Sequence, residues 1–340
     1  MTERSGDKRP TIHDVAARAG VSKSLVSLAL RGSSKVSDAS REAIEKAASE
    51  LGYRPNAQAR SLADRRSRTI GINMAELDNP IFPQMLSGAH SVIRAHGYNT
   101  MLVSGERDPE LESTELAKLL EFQVEGLMLI SHRLPAATVR SLAADVPTVV
   151  LTLRGITGPG IDTITTNDES GARMAMRHLL DLGHTRIAHI SGGTLEPGVV
   201  RERIYREEMQ AAGLDAHIKV APGDLTNLGG LEAARAMLTE GAPPTAIFAS
   251  NDISAIGALA ACQEHGLRVP EDISIIGYDG VALGALRTLS LTTIAQPLTE
   301  MGRIGAERLF DRLEGRKVKD RSIVLEPELL ARGTTAAPRN

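Results

Sequence analysis

Residues 11–30 read TIHDVAARAGVSKSLVSLAL, two short amphipathic runs broken at Gly20-Val21. Thr11-Ile-His-Asp14 has the spacing of a capping box with Asp in the usual Glu position. It opens a helix whose Ile12, Val15, Ala16 and Ala19 recur at helical spacing. Gly20 supplies a left-handed turn and Ser22 an N-cap. Lys23 to Leu30 then forms a second helix with Leu25, Val26, Ala29 and Leu30 turned inward, and Gly32 stops it. Ser37-Asp38 caps a third helix, roughly Ala39 to Leu51, before Gly52. Two short helices across a Gly-containing turn, braced by a third, predict a helix-turn-helix.

In that motif the second helix enters the major groove by its N-terminal residues. Lys23 and Ser24 are then expected at base edges, with Ser22 and Ser27 at phosphates. Leu28 offers only an apolar surface, suited to a thymine methyl or to packing within the head. The formal charge of −3 over 340 residues hides an asymmetry: residues 1–68 hold 14 Lys+Arg and 8 Asp+Glu, a net of +6, and residues 69–340 carry −9. A basic head on an acidic body predicts a DNA contact confined to one end. With no Trp, four Tyr and four Phe, the chain has few rings for stacking bases, so DNA recognition must rest on helices and charge.

Thr11-Ile12, Asp14-Val15-Ala16, Ala19-Gly20-Val21-Ser22, Val26-Ser27, Val36-Ser37, Leu51-Gly52-Tyr53, Pro55-Asn56, Ala59-Arg60 and Leu62 resemble the head and hinge of the lactose-repressor (LacI/GalR) family. Departures fall at Leu25, where the family usually has Thr, and at Leu28, where its best-known members have Arg or His. The resemblance implies that Asn56 and Ala59 belong to a hinge helix that folds only on DNA, paired with its twin from a second subunit. Residues 56–64 are too short to be stable alone, since isolated helices below about 12–15 residues are marginal in water. By the same resemblance Leu62 enters the minor groove, where an apolar wedge kinks the duplex.

From Thr69 short aliphatic runs alternate with longer amphipathic stretches, the pattern of a parallel α/β sheet. Ten strands are expected, near residues 70–74, 100–104, 126–130, 148–151, 163–165, 187–190, 218–220, 246–249, 273–276 and 291–294. That is too much for one compact sheet and predicts two subdomains with a cleft at the strand carboxyl ends. Polar residues just beyond strands stand out there: Asn251-Asp252, Tyr278-Asp279, Gln296 and Arg201. This region is similar to the family's periplasmic-binding-protein-like core through Asn79-Pro80, His178-Leu179, Leu182-Gly183-His184, Val269-Pro270, Gly277-Tyr-Asp279 and Leu291-Thr-Thr-Ile294. By that match Arg201, Asn251, Asp279, Gln296 and Phe82 are the effector-binding residues. Arg, Asp and Asn together suit a polyol, because they donate and accept at adjacent hydroxyls. Ile204, Leu153 and Ile81 replace residues usual in the family and predict a more aliphatic pocket.

The expected architecture is an all-α helix-turn-helix head (1–55), a hinge (56–68) and an α/β periplasmic-binding-protein-like core of two doubly wound parallel-sheet subdomains (69–340). The first subdomain is expected at 69–162 plus 294–322 and the second at 163–293 plus 323–333. The function implied is a homodimeric, ligand-responsive repressor that binds a pseudo-palindromic operator, with a carbohydrate or polyol effector. The alternative is a small-molecule-binding α/β protein or an NAD-type enzyme with an incidental helical N-terminus. No Gly-x-Gly-x-x-Gly follows a strand, and there is no Walker loop or Gly-x-Ser-x-Gly elbow. The nine His are scattered, so no catalytic residue, metal or cofactor is expected. One cysteine, Cys262, a polar N-terminus and no run near 18 apolar residues predict a cytoplasmic protein without a membrane contact.

Overall fold

The computed structural model describes residues 10–30, 32–54, 66–239, 242–316 and 322–339. The chain divides into two compact units, Met1–Ser67 and Arg68–Asn340, and each is treated by itself. In the head, α1 (Ile12–Ala19), α2 (Lys23–Leu30) and α3 (Asp38–Leu51) surround a small aliphatic core of Val15, Val26 and Ile44, each fully buried. The Asp14 carboxylate accepts from the Thr11 backbone N–H at 2.7 Å and from its hydroxyl at 2.8 Å, fixing the start of α1. Gly20 adopts φ 67°, and the Val21 N–H donates to the Ala16 carbonyl at 3.0 Å, ending α1 in a left-handed turn. Arg41 on α3 donates to the carbonyls of Ala29 at 3.0 Å and Ser33 at 2.8 Å, bracing the far end of α2.

The body begins with β1 (Thr69–Met74), α4 (Ile81–Ala95), β2 (Asn99–Ser104), α5 (Pro109–Glu121), β3 (Gly126–Ile130), α6 (Ala136–Asp145), β4 (Thr148–Leu151) and β5 (Ile161–Thr166). It continues with α7 (Asp168–Asp181), β6 (Ile187–Ile190), α8 (Glu196–Ala211), β7 (Lys219–Ala221), α9 (Asn227–Thr239), β8 (Ala246–Ala249), α10 (Asp252–Glu264), β9 (Ser274–Asp279) and β10 (Thr292–Ala295). It closes with α11 (Leu298–Leu313), β11 (Ser322–Leu325) and β12 (Glu328–Leu330). Two six-stranded sheets result, in the orders β2-β1-β3-β4-β5-β11 and β7-β6-β8-β9-β10-β12. All pairings are parallel except β10 with β12. The central strands β3, β4, β8 and β9 are buried throughout, which is why β3, β4 and β8 read as nearly continuous apolar runs rather than alternating ones.

Two corrections to the expected subdomain limits follow. β5 pairs with β4 from Thr148 opposite Ile161 and runs to Thr166, so the first sheet extends beyond residue 162. The threonines of Asp-Thr-Ile-Thr-Thr made the strand look shorter and more polar than it is; they are buried in the sheet, and their β-branched side chains favour a strand. β10 stays in the second sheet through Ala295, and β11 returns to the first, pairing with β5 through Leu325 opposite Thr166. The chain therefore crosses between sheets three times, near residues 167, 296 and 327. Among the described residues no helix is long and apolar enough to cross a membrane, and no cluster of His, Cys, Asp or Glu has metal-site geometry.

Candidate DNA-contacting helix and inter-sheet cavity

In the head, Ser22, Lys23 and Ser24 lie exposed in succession at the start of α2. Ser22 also caps the helix, its hydroxyl accepting from the Leu25 N–H at 3.2 Å. Ser27, one turn on, is half-buried. Leu28 is half-buried too and packs against the head core, so the packing role weighed for it is real while part of its surface stays open. The remaining expected DNA-contacting residues, Asn56, Ala59 and Leu62, lie outside the described residues.

In the body, the strand carboxyl ends of both sheets face a cavity of about 60 Å³ lined by Arg201, Asn251, Asp279 and Gln296 among others. Arg201 rises from α8 and is 4 % exposed. Its Nε and Nη2 donate to Asp168 Oδ1 at 3.0 and 2.7 Å, and its Nη1 donates to the Ser250 carbonyl at 2.6 Å. The guanidinium carbon lies 3.6 Å from the centre of the Tyr278 ring, a cation–π contact with a buried phenol. Tyr278 reaches this position because residue 171 on α7 is Gly; a Cβ there would overlap its hydroxyl. Arg201 has five N–H donors, so this arrangement leaves it donors for a ligand.

Asn251 caps α10: its Oδ1 accepts from the Ser254 N–H at 2.9 Å and its Nδ2 donates to the Leu225 carbonyl at 3.0 Å. Asn251 is thus a helix cap, and the same residue lines the cavity. Asp279, at the end of β9, lies 3.8 Å from Arg201 Nη1 and accepts from Gln296 Nε2 at 2.7 Å. Gln296 Oε1 in turn accepts from the Thr166 hydroxyl at 2.7 Å. Because Thr166 ends β5 and Asp279 ends β9, this one amide ties the two sheets together at the middle crossover. Burial holds the Asp279 carboxyl above the usual carboxylate range, against the pull of Arg201. Asp252 beside it is raised too, first by burial and then by the charge of Asp279.

Four cavity-lining residues that are not glycine have positive φ: Ser131 at 54°, Thr152 at 76°, Leu225 at 67° and Asp279 at 120°. A β-branched residue such as Thr152 at that φ is a genuine outlier, and strained backbone of this kind concentrates at binding sites. Ser131 and Thr152 terminate β3 and β4, and their hydroxyls are 2.8 Å apart.

Phe82 is a correction: it lies 2 % exposed in the core of the first sheet, whereas its neighbour Ile81 lines the cavity. No ring from α4 faces the cavity, and the wall there is aliphatic. Sequence reasoning missed Asp168, the partner that orients Arg201. Its signal was present, because Asn167-Asp168 follows β5 as Asn251-Asp252 follows β8. It also missed Ser131, Thr152 and Leu225, whose roles arise from backbone conformation rather than residue type.

Comparison with known proteins agrees with a helix-turn-helix head followed by a two-sheet body. A family model described as bacterial regulatory proteins, lacI family, matches residues 11–56, and one described as a periplasmic binding protein-like domain matches residues 176–335. The HTH-type transcriptional repressor CytR of Escherichia coli (strain K12) is 32% identical over 339 residues, covering 99% of each chain. The ribose operon repressor of Haemophilus influenzae (strain ATCC 51907 / DSM 11121 / KW20 / Rd) is 33% identical over 326 residues, covering 95% of this chain and 97% of that protein. The crystal structure of the Lac repressor dimer bound to operator and the anti-inducer ONPF superposes with a TM-score of 0.83 at 30% identity, covering 97% of this chain and 100% of that one. The chain belongs to the lacI family of bacterial regulatory proteins, transcriptional regulators with an effector-binding domain rather than enzymes.

Proposed function

We propose that the protein is a cytoplasmic repressor that binds a pseudo-palindromic operator as a homodimer and changes its DNA affinity when a carbohydrate or polyol enters the inter-sheet cavity. The observation that carries this reading is the Thr166–Gln296–Asp279 chain of hydrogen bonds, which joins the two sheets through the same carboxylate that faces Arg201. A ligand hydroxyl donating to Asp279 competes with Gln296 and so changes what holds the sheets together. An effector shifts the equilibrium only by its differential affinity for the two arrangements; a change from 1:99 to 99:1 needs about 5.5 kcal/mol. At the other end, Lys23 and Ser24 read base edges, Ser22 and Ser27 bind phosphates, and Leu28 meets an apolar base edge. Asn56, Ala59 and Leu62 complete the contact from a hinge at residues 56–68, with the head at 1–55 and the effector core at 69–340.

Selection of bound sequences from randomised duplex DNA by the full-length chain tests this. The expected product is a two-fold-symmetric site whose affinity falls steeply with salt, as released counterions require. Recovery of no preferred sequence would overturn the reading.

A further inference from the structure

A second cavity, about 390 Å³, is lined by Pro109, His132, Arg133, Arg154, Ile156 and Glu196 among others. Leu153 and Leu195 line both this cavity and the smaller one containing Arg201, so the two adjoin. The volume falls in the range typical of small-molecule sites, about 300–1,000 Å³. By contrast, about 60 Å³ lies well below that range. A ligand that reaches Arg201, Asn251 and Asp279 has its room on this side.

The polar groups of the larger cavity are unbalanced. His132 is 2 % exposed, and its Nδ1 lies 3.2 Å from the Leu134 N–H, which it accepts. Burial holds the imidazole down at about 4, so the ring is neutral and its single proton sits on Nε2. That Nε2, together with Arg133 Nε and Arg154 Nε, is buried without a hydrogen-bond partner. Glu196 Oε2 is the one buried acceptor on this wall in the same condition. Glu112 and Glu76 already face Arg133, and Glu196 faces Arg154, whose Nη2 donates to the Thr166 carbonyl at 2.6 Å; the three N–H groups still unmet, against one acceptor, call for a ligand rich in oxygen acceptors. Leaving buried charged donors unmet costs more than leaving neutral ones so. The three donors follow β3 and β4 in the first sheet, while Glu196 opens α8 beside the second sheet, so a ligand here also touches both halves.

We propose that the effector is an acidic sugar derivative, a carboxylate or a phosphate ester, whose hydroxyls lie toward Arg201, Asn251 and Asp279 and whose oxyanion meets His132, Arg133 and Arg154. This rests on the cleft being the effector site. Glu196 accepts a hydroxyl next to the oxyanion and disfavours a second negative charge on its own side, which fixes the orientation of the ligand.

The test is calorimetric titration of the full-length protein with D-ribose and D-glucose, their aldonates, their terminal phosphates and inorganic phosphate. Wild type, Arg133→Leu, Arg133→Lys and Arg201→Ala are compared, with circular dichroism verifying that each is folded. One acidic form is expected to bind at least about tenfold tighter than its neutral parent, roughly 1.4 kcal/mol. Arg133→Leu should weaken the acid at least about tenfold more than its neutral parent and so remove that preference, and Arg133→Lys should keep part of it. Equal binding of acid and neutral sugar, both lost in Arg201→Ala, overturns the oxyanion subsite and leaves the cleft reading standing. Acid binding left unchanged by Arg201→Ala and by Arg133→Leu alike puts the ligand outside the cleft and overturns the cleft reading itself. Binding of none of the sugars, or of inorganic phosphate as tightly as the sugar phosphates, overturns the subsite.

Discussion

The head and the inter-sheet cavity use polar side chains in opposite ways. In the head, Ser22, Lys23 and Ser24 are exposed and the core beneath them is aliphatic, built on Val15, Val26 and Ile44. In the cavity, Arg201, Asp168 and Asp279 are each 4 % exposed or less, and Arg201 is paired with both carboxylates. A surface contact residue has water as its partner in the free protein and can be exchanged with little effect on folding. A buried ionic network has only itself, so its members hold the subdomain together while they wait for a ligand, and recognition and stability become one property.

The largest expected effect comes from breaking that network. Arg201→Ala leaves Asp168 buried without its cation and should destabilise the body by about 3–5 kcal/mol, besides removing the effector response. A thermal melt of the variant checks this; a loss below about 1 kcal/mol would break the contrast with the head.

Next in size is a pH effect confined to the body. Burial holds His189, packed between the Tyr205 and Phe248 rings, down at about 4 from an ordinary 6.5. The unfolded chain takes up this proton below about 6.5 and the folded chain only near 4. Stability from this site is therefore present above that window and lost as pH falls through it, by up to about 3 kcal/mol. Asp252 and Asp279, raised by burial, act in the opposite sense, so the readout is the difference between wild type and His189→Phe. Denaturant unfolding at pH 7 and pH 4.5 should find wild type losing ground to the variant on acidification. A constant difference refutes the assignment.

The smallest stability effect is expected at the head. Lys23→Ala should cost about 1–3 kcal/mol of operator affinity while shifting unfolding by no more than about 0.5 kcal/mol. Gel-shift titration beside a melt of the same sample separates the two, and a matching loss in both would erase the distinction between the regions.

Much of this was legible in the residues. The three head helices follow from Thr11–Asp14, Gly20, Ser22 and Ser37, because caps and glycine turns act over three or four residues and need no distant partner. The ten expected strands lie where aliphatic runs are short. What escaped was non-local. β11 and β12 are half-exposed edge strands whose mixed pattern reads as loop, and only pairing with β5 and β10 makes them strands. Phe82 and Ile81 are adjacent on α4, about 100° apart around its axis, and the packing of that helix against the sheet selects which one meets the cavity.

The sequence by itself determined the helix-turn-helix, the charge division between head and body, the division of the body into two α/β subdomains and the places of Asn251, Asp279 and Gln296 at their strand ends. These depend on local caps, periodicity and composition. The tertiary structure alone decided that Asp168 orients Arg201, that Gln296 links β5 to β9, and that Ser131, Thr152, Leu225 and Asp279 adopt positive φ around one cavity. Each of these joins residues far apart in the chain, and a hydrogen bond or a strained backbone exists only once the surrounding fold holds both sides in place.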